Sequence, residues 1–270
     1  MLPLAQLLDF IQPISLQAGQ ILNKNFGKIQ YIKDKSNAID LCTNADIESE
    51  KFITESIVKK YPNHSIIAEE GYENLTSSDY RWVIDPLDGT TNYVHNLPIF
   101  SVSIGLQYKE ETVLGIVYNP AADKLFYATK KNGAFLNHNN ISVSSSNTLS
   151  ESVLATGFPY SHDKYYDTSF SIFKDFYDKT QGLRRLGVAS LDLCFVAMGR
   201  FDGFYEFNLK PWDMCAGAII AKEAGGLCTD WDNAPLPFSG CRVLCSNKSI
   251  HTEMIDVLNQ DKYKLFYDLK

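Results

Sequence analysis

Asp85 and Asp88 stand three residues apart just after the apolar run Trp82-Val83-Ile84, with Pro86 between them and Gly89-Thr90-Thr91-Asn92 behind them. Carboxylate oxygens suit a hard divalent cation, and N–H groups at the start of a helix suit a phosphate. The local sequence puts both in one place. Pro86 fixes its own φ and pushes Asp85 into extended backbone, at the end of a buried strand. Asp88-Gly89 is a turn signal, because glycine takes a positive φ without steric cost. Thr90, Thr91 and Asn92 are N-cap types, which predicts a helix starting among them. A purely structural reading stands beside the chemical one: a strand, a capped turn and a helix, with both acids solvating the turn.

Other acids occupy similar places along the chain. Glu69-Glu70 closes the short apolar strand Ser65-Ile66-Ile67-Ala68. Asp213 falls in the first turn of a helix that opens at Pro211 and ends at Gly225-Gly226. Asp46 lies near the start of a helix running to about Tyr61. Taken singly, Asp46 and Asp213 are explained by capping or by compensation of the helix dipole, worth about 0.3–1 kcal/mol. A site collects acids from strand ends and helix starts, so Glu69, Asp85, Asp88 and Asp213 together form a candidate metal site with oxygen ligands. The five histidines are scattered and only His95 lies near a motif, where a structural role suits it better than catalysis.

The elements that must position these acids can be read in outline. Apolar spacing predicts helices over 4–25 and 47–61, a short extended piece at Gln30-Tyr31-Ile32, and a buried strand leading into Asp85. A β-meander fills 99–143, with Ser101, Ser103 and Gly105 alternating with Val102, Ile104 and Leu106. The serine-rich stretch 142–150 divides the chain into an N-terminal half, 1–145, carrying most of the acids, and a C-terminal half, 146–270, carrying Asp213. The second half alternates strands (153–156, 183–186, 203–206, 242–245) with helices (166–177, 189–198, 211–224, 250–258). Helices, then a run of strands, without strict alternation, predict an α+β layered fold rather than a doubly wound sheet.

Bulk properties bound the function. A chain of 270 residues holds one large domain or two closely packed ones. The net charge of −7 carries no basic footprint for nucleic acid. Six cysteines form no C-x-x-C pair, which argues against a zinc site and for reduced core residues. The N-terminal 22 residues read as an amphipathic helix rather than a signal peptide, and no run of 18 apolar residues calls for a membrane span. These features together lead us to expect a cytoplasmic protein.

Glu69-Glu70, Asp85-Pro86-Leu87-Asp88-Gly89-Thr90-Thr91-Asn92 and Trp212-Asp213-Met214-Cys215-Ala216-Gly217 together resemble the motifs of the inositol monophosphatase family, magnesium-dependent and lithium-sensitive phosphomonoesterases. Asn44-x-Asp46 and Glu223-Ala224-Gly225-Gly226 extend the likeness over nearly the whole chain. Arg184-Arg185-x-Gly187 with Leu191-Asp192 is similar to the bacterial inositol-1-phosphatase branch. The resemblance implies the layered αβαβα sandwich shared with fructose-1,6-bisphosphatase, two to three Mg²⁺ per active site, and a homodimer. It implies that Glu69, Asp85 and the Leu87 carbonyl hold a first metal, that Asp85, Asp88 and Asp213 hold a second, and that Glu69 contributes to a weaker third. Gly89 and Thr90 are then the phosphate cradle, Thr90 with Asp46 and Glu69 orient the attacking water, and Gly187, Ala189, Glu206 and Asp213 meet the substrate. Leu87 and Cys215 are mild departures from the family pattern, and Leu87 acts through its backbone.

The implied chemistry is direct in-line attack by a metal-activated water on myo-inositol monophosphate, without a phosphoenzyme. Two ions about 3.5–4 Å apart suit such a displacement, and no histidine base is needed. Three rival substrates fit the same chemistry: fructose 1,6-bisphosphate, histidinol phosphate and a phosphoadenosine. A regulatory binding protein that keeps the fold is a rival of another class.

Overall fold

The computed structural model describes residues 2–28, 32–34, 41–158 and 163–268. The chain opens with helix α1 (Leu4–Asn25), a small antiparallel pair β1 (Ile32–Asp34) and β2 (Leu41–Thr43), and helix α2 (Asn44–Lys60). Gln30 and Tyr31 of the expected extended piece lie outside the described residues. Strands β3 (Ser65–Ala68), β4 (Glu73–Asn74) and β5 (Tyr80–Asp88) follow, then the short helix α3 (Thr90–Val94). The meander is β6 (Ser101–Tyr108), β7 (Glu111–Asn119), β8 (Lys124–Thr129), β9 (Ala134–Leu136) and β10 (Asn139–Ile141). The rest is β11 (Val153–Thr156), α4 (Tyr166–Tyr177), β12 (Gly182–Arg184), α5 (Ala189–Ala197), β13 (Gly203–Phe207), α6 (Pro211–Glu223), β14 (Leu227–Thr229), β15 (Arg242–Ser246) and α7 (His251–Leu258).

An eight-stranded sheet has the order β10-β9-β8-β7-β6-β5-β3-β4, and a five-stranded sheet the order β12-β11-β13-β15-β14. Helices α1 and α2 cover the outer face of the large sheet, α5 and α6 lie between the sheets, and α4 and α7 cover the far face of the small one. The expected αβαβα sandwich is therefore present. Val102, Ile104 and Leu106 point into the core shared with Leu7, Ile11 and Leu22 of α1. The alternate residues of β6 are small because α6 presses on them: a Cβ added to Gly105 would lie 2.5 Å from the Cys215 sulfur. Helix α6 is buried from Met214 to Ala221, as an apolar middle layer requires.

This layering brings the acids together. Strand β3 runs parallel to β5, with Ala68 opposite Ile84, so both strands end at the same edge. Strand β5 does not stop at Asp85 as the proline suggests. It continues to Asp88 through a bulge against β6, where Asp85 pairs Ser103 and Asp88 pairs Ser101. Pro86 has no N–H for the ladder, so the bulge lets the strand pass it. The helix starts at Thr90, as expected, but none of Thr90, Thr91 and Asn92 caps it. Gly89 is the capping residue, in the left-handed region at φ 92°, and Thr90 is already helical. All six cysteines are free, and all but Cys241 are buried. Among the described residues, no helix is long and apolar enough to cross a membrane.

Candidate active site

Helix α2 delivers the first acid. Thr43 caps it in a reciprocal box with Asp46: the Thr43 N–H and hydroxyl both donate to Asp46 Oδ2, at 2.8 and 2.5 Å. Capping therefore does explain Asp46 locally, but it uses only one oxygen. The other, Oδ1, accepts from the Thr90 hydroxyl at 3.2 Å, and the same hydroxyl lies 3.1 Å from the Leu87 carbonyl. Thr90 thus joins α2 to the bulge. Burial, opposed by the bonds from Thr43, pushes Asp46 up to about 7.

Glu69, Asp85, Asp88 and Asp213 converge from three elements. Asp85 is buried and accepts from the Leu87 N–H at 3.0 Å. Burial, then the charges of Glu69, Asp88 and Asp213, hold it well above the usual carboxylate range, and its side chain is hydrogen-bonded to Glu69. Asp88 Oδ2 accepts from the Ser190 N–H at 2.8 Å and its hydroxyl at 2.6 Å, and the Ala189 N–H also serves Asp88. An anion at the N-terminus of α5 is well placed for the helix dipole. Burial still raises Asp88 to about 7. Asp213 accepts from the Lys210 N–H at 2.6 Å. Burial, with Glu69 and Asp88 nearby, lifts it well above its ordinary value.

The residues expected on the substrate side, Gly187, Ala189 and Glu206, lie beyond residue 146. The segment before α5 packs on the bulge: the Asn92 amide donates to the Ile99 and Leu186 carbonyls at 2.9 and 2.8 Å, and Val188 lies against Gly89. Gly187 has φ 77° and is approached by the Arg185 guanidinium, 2.2 Å from where a Cβ would stand. Glu206 packs over Gly157, where a Cβ would lie 2.1 Å from its carboxylate. Burial, with Arg185 opposing and Asp88 adding to it, pushes Glu206 up to about 8. Ala189 reaches Asp88 through its backbone.

The donor set is all oxygen and crowded with like charge, which is what a hard divalent cation relieves. One carboxylate oxygen of each of Asp85, Asp88 and Asp213 accepts from a backbone N–H. Among the described residues, no three acids, histidines or cysteines are drawn closely enough together to hold an ion. The chemistry of the set fits magnesium, which keeps several waters and takes few protein ligands. Sequence reasoning missed Ser190 and Asn92. Ser190 sits in no acid motif and Asn92 reads there only as a capping type, and each acts through a contact between distant segments.

The sequence model of the inositol monophosphatase family matches residues 4–263. Inositol-1-monophosphatase of Synechocystis sp. is 43% identical over 244 residues, covering 90% of this chain and 85% of that protein. Fructose-1,6-bisphosphatase/inositol-1-monophosphatase of Aquifex aeolicus is 40% identical over 94% of this chain and 96% of its own length. The crystal structure of the extragenic suppressor protein suhB from Bartonella henselae superposes with a TM-score of 0.90 at 35% identity, covering 95% of this chain and 99% of that one. With a layered sandwich that gathers the motif acids at one sheet edge, the chain belongs to the inositol monophosphatase family and is a phosphoric monoester hydrolase.

Proposed function

We propose that the chain hydrolyses the phosphate monoester of a small polyol, myo-inositol monophosphate foremost, using Mg²⁺ held by Glu69, Asp85, Asp88, Asp213 and the Leu87 carbonyl. The observation that carries this reading is the crowding of four acids from three elements, where the charge of Glu69 raises Asp85, Asp88 and Asp213 and that of Asp88 raises Asp85 and Asp213, on top of burial. Bound magnesium supplies charge neutralisation at the phosphate and acidifies water at the site. The chain supplies the rest. The Gly89 and Thr90 N–H groups, at the start of α3, face the phosphate oxygens. The Thr90 hydroxyl, in contact with Asp46, orients the attacking water and offers its proton a path to Asp46. Held at about 7, Asp46 can accept that proton near neutrality. Glu69 orients the same water from the other side. Glu206 accepts ring hydroxyls, with Gly187 and Ala189 shaping the ring pocket.

In this reading residues 1–145 carry most of the metal ligands, and residues 146–270 carry Asp213 and the substrate contacts. A homodimer and lithium inhibition belong to the same proposal. The test is phosphate release from myo-inositol 1-phosphate and from fructose 1,6-bisphosphate, with Mg²⁺ varied and Li⁺ added. Mg²⁺-dependent turnover favouring the inositol ester supports the full reading. Preference for the sugar bisphosphate, which the double name of the Aquifex relative makes the leading rival, moves the substrate and keeps the site. Turnover that ignores Mg²⁺ sinks the metal assignment.

A further inference from the structure

Glu50 lies one helical turn beyond Asp46 on the same face of α2, and both are buried. A buried carboxylate is costly unless its oxygens are bonded. Those of Glu50 are bonded to backbone: Oε2 accepts from the Glu70 N–H at 2.7 Å and Oε1 from the Tyr72 N–H at 3.2 Å. Both donors belong to the turn that follows β3 and carries Glu69. That turn folds back on itself through Ala68 N–H to the Tyr72 carbonyl at 3.0 Å, with Gly71 in the left-handed region at φ 104°. On its other side the Glu69 N–H is fixed to the Ile84 carbonyl of β5 at 3.1 Å. The backbone of Glu69 is therefore held from the sheet and, through Glu70 and Tyr72 of the same turn, from α2.

The same helix reaches the other segments of the site. The Ser49 hydroxyl donates to the Pro86 carbonyl at 3.0 Å, and Asp46 accepts from Thr90. Successive positions of α2 thus bind the Glu69 turn, the Asp85-Pro86 bulge and the start of α3.

We infer that Glu50 is a positioning residue, which sets the Glu69 carboxylate for metal by clamping the backbone amides of Glu70 and Tyr72. The inference rests on the reading of Glu69 as a metal ligand. A glutamine cannot replace the clamp, because its amide offers one acceptor and turns a donor toward the second N–H.

The test compares Glu50→Gln, Glu50→Asp and Glu69→Gln with the wild-type chain, and uses Val257→Ala in α7 as a distant destabilised control. Mn²⁺ and Mg²⁺ binding are measured by calorimetry without substrate, and amide exchange of Glu70 and Tyr72 is followed in metal-free protein. Glu50→Gln should weaken metal binding about tenfold or more, the scale found for groups that orient a metal ligand. It should speed exchange at Glu70 and Tyr72 and leave KM for the phosphate ester within about twofold, since the clamp makes no substrate contact. Glu50→Asp, with charge and both acceptors but a shorter reach, should fall between. If Glu50→Gln does not fold, Glu50→Asp carries the same comparison. Wild-type metal binding in Glu50→Gln, with Glu69→Gln weakened, overturns the positioning role alone. Wild-type binding in Glu69→Gln overturns the metal reading and the inference with it. Loss of metal and substrate affinity in step with Tm, as in Val257→Ala, reduces Glu50 to a structural residue.

Discussion

Gly89→Ala tests whether the start of α3 is held as tightly as the geometry requires. Gly89 sits at φ 92°, and a Cβ there would lie 2.6 Å from Val188 Cγ2 and 3.1 Å from the Ile99 carbonyl oxygen. A left-handed conformation costs a non-glycine residue about 1–2 kcal/mol. Overpacking against a buried valine adds about 1–3 kcal/mol. The sum is about 2–5 kcal/mol, and each kcal/mol moves the Tm of a domain this size by about 2 °C, so Tm should fall by about 4–10 °C. Val188→Ala removes the side-chain clash and leaves the backbone strain. The double variant should therefore lose about 1–3 kcal/mol less than the sum of the singles. Thermal unfolding of the four proteins measures both quantities. Turnover should fall at least about tenfold in Gly89→Ala even well below its Tm, because the Ile99 carbonyl is backbone and α3 must move instead. A Tm loss under 2 °C with no coupling to Val188 would refute the close approach of these two segments.

Further outcomes follow from the same site. Asp88→Asn should lose Mg²⁺-dependent turnover by at least about 10²-fold with little change in Tm, since an amide oxygen can still accept from Ser190; full activity would remove Asp88 from the metal set. Thr90→Val deletes the hydroxyl shared by Leu87 and Asp46 and should lower kcat about 10²-fold with KM nearly unchanged, whereas an equal loss in a steady-state assay of Thr90→Ser would show that the methyl rather than the hydroxyl matters. In metal-free protein, stability should fall as pH rises from 6.5 to 8.5. Asp46 and Asp88 titrate at about 7 and Glu206 at about 8 when folded, against ordinary values of 3.8 and 4.5, so the folded chain holds protons that the unfolded chain has lost. His251, held down to about 4 by burial, acts in the opposite direction but only below its unfolded value of 6.5. Excess Mg²⁺ should flatten the slope, and a Tm that rises over this window without metal would contradict the raised values.

What the chain discloses to a reader of its sequence depends on how far apart the interacting groups lie. Helix α4 falls on its expected bounds, Tyr166–Tyr177, because apolar spacing over a dozen residues is a local property. Strand β14, Leu227–Thr229, was hidden behind the helix-ending Gly225-Gly226, since three residues carry no period. Thr90 shows why a local rule can mislead at a site. Its hydroxyl is a good cap by type, yet the structure gives the cap to Gly89 and sends the hydroxyl to Leu87 and Asp46, 44 positions away. The acids of the candidate site were legible because strand ends and helix starts can be read locally, and for Asp46 and Asp213 the structural explanation is also true. Asp46 does cap α2, and Asp213 does accept from the start of α6. Capping satisfies one oxygen of Asp46 and leaves the other for Thr90. A structural role and a chemical role therefore do not compete for the same residue: the cap fixes the carboxylate, and a fixed carboxylate is what a preorganised site requires. Ser190 completes the argument from the other direction, since it matters only once β5 and α5, a hundred residues apart in sequence, have met.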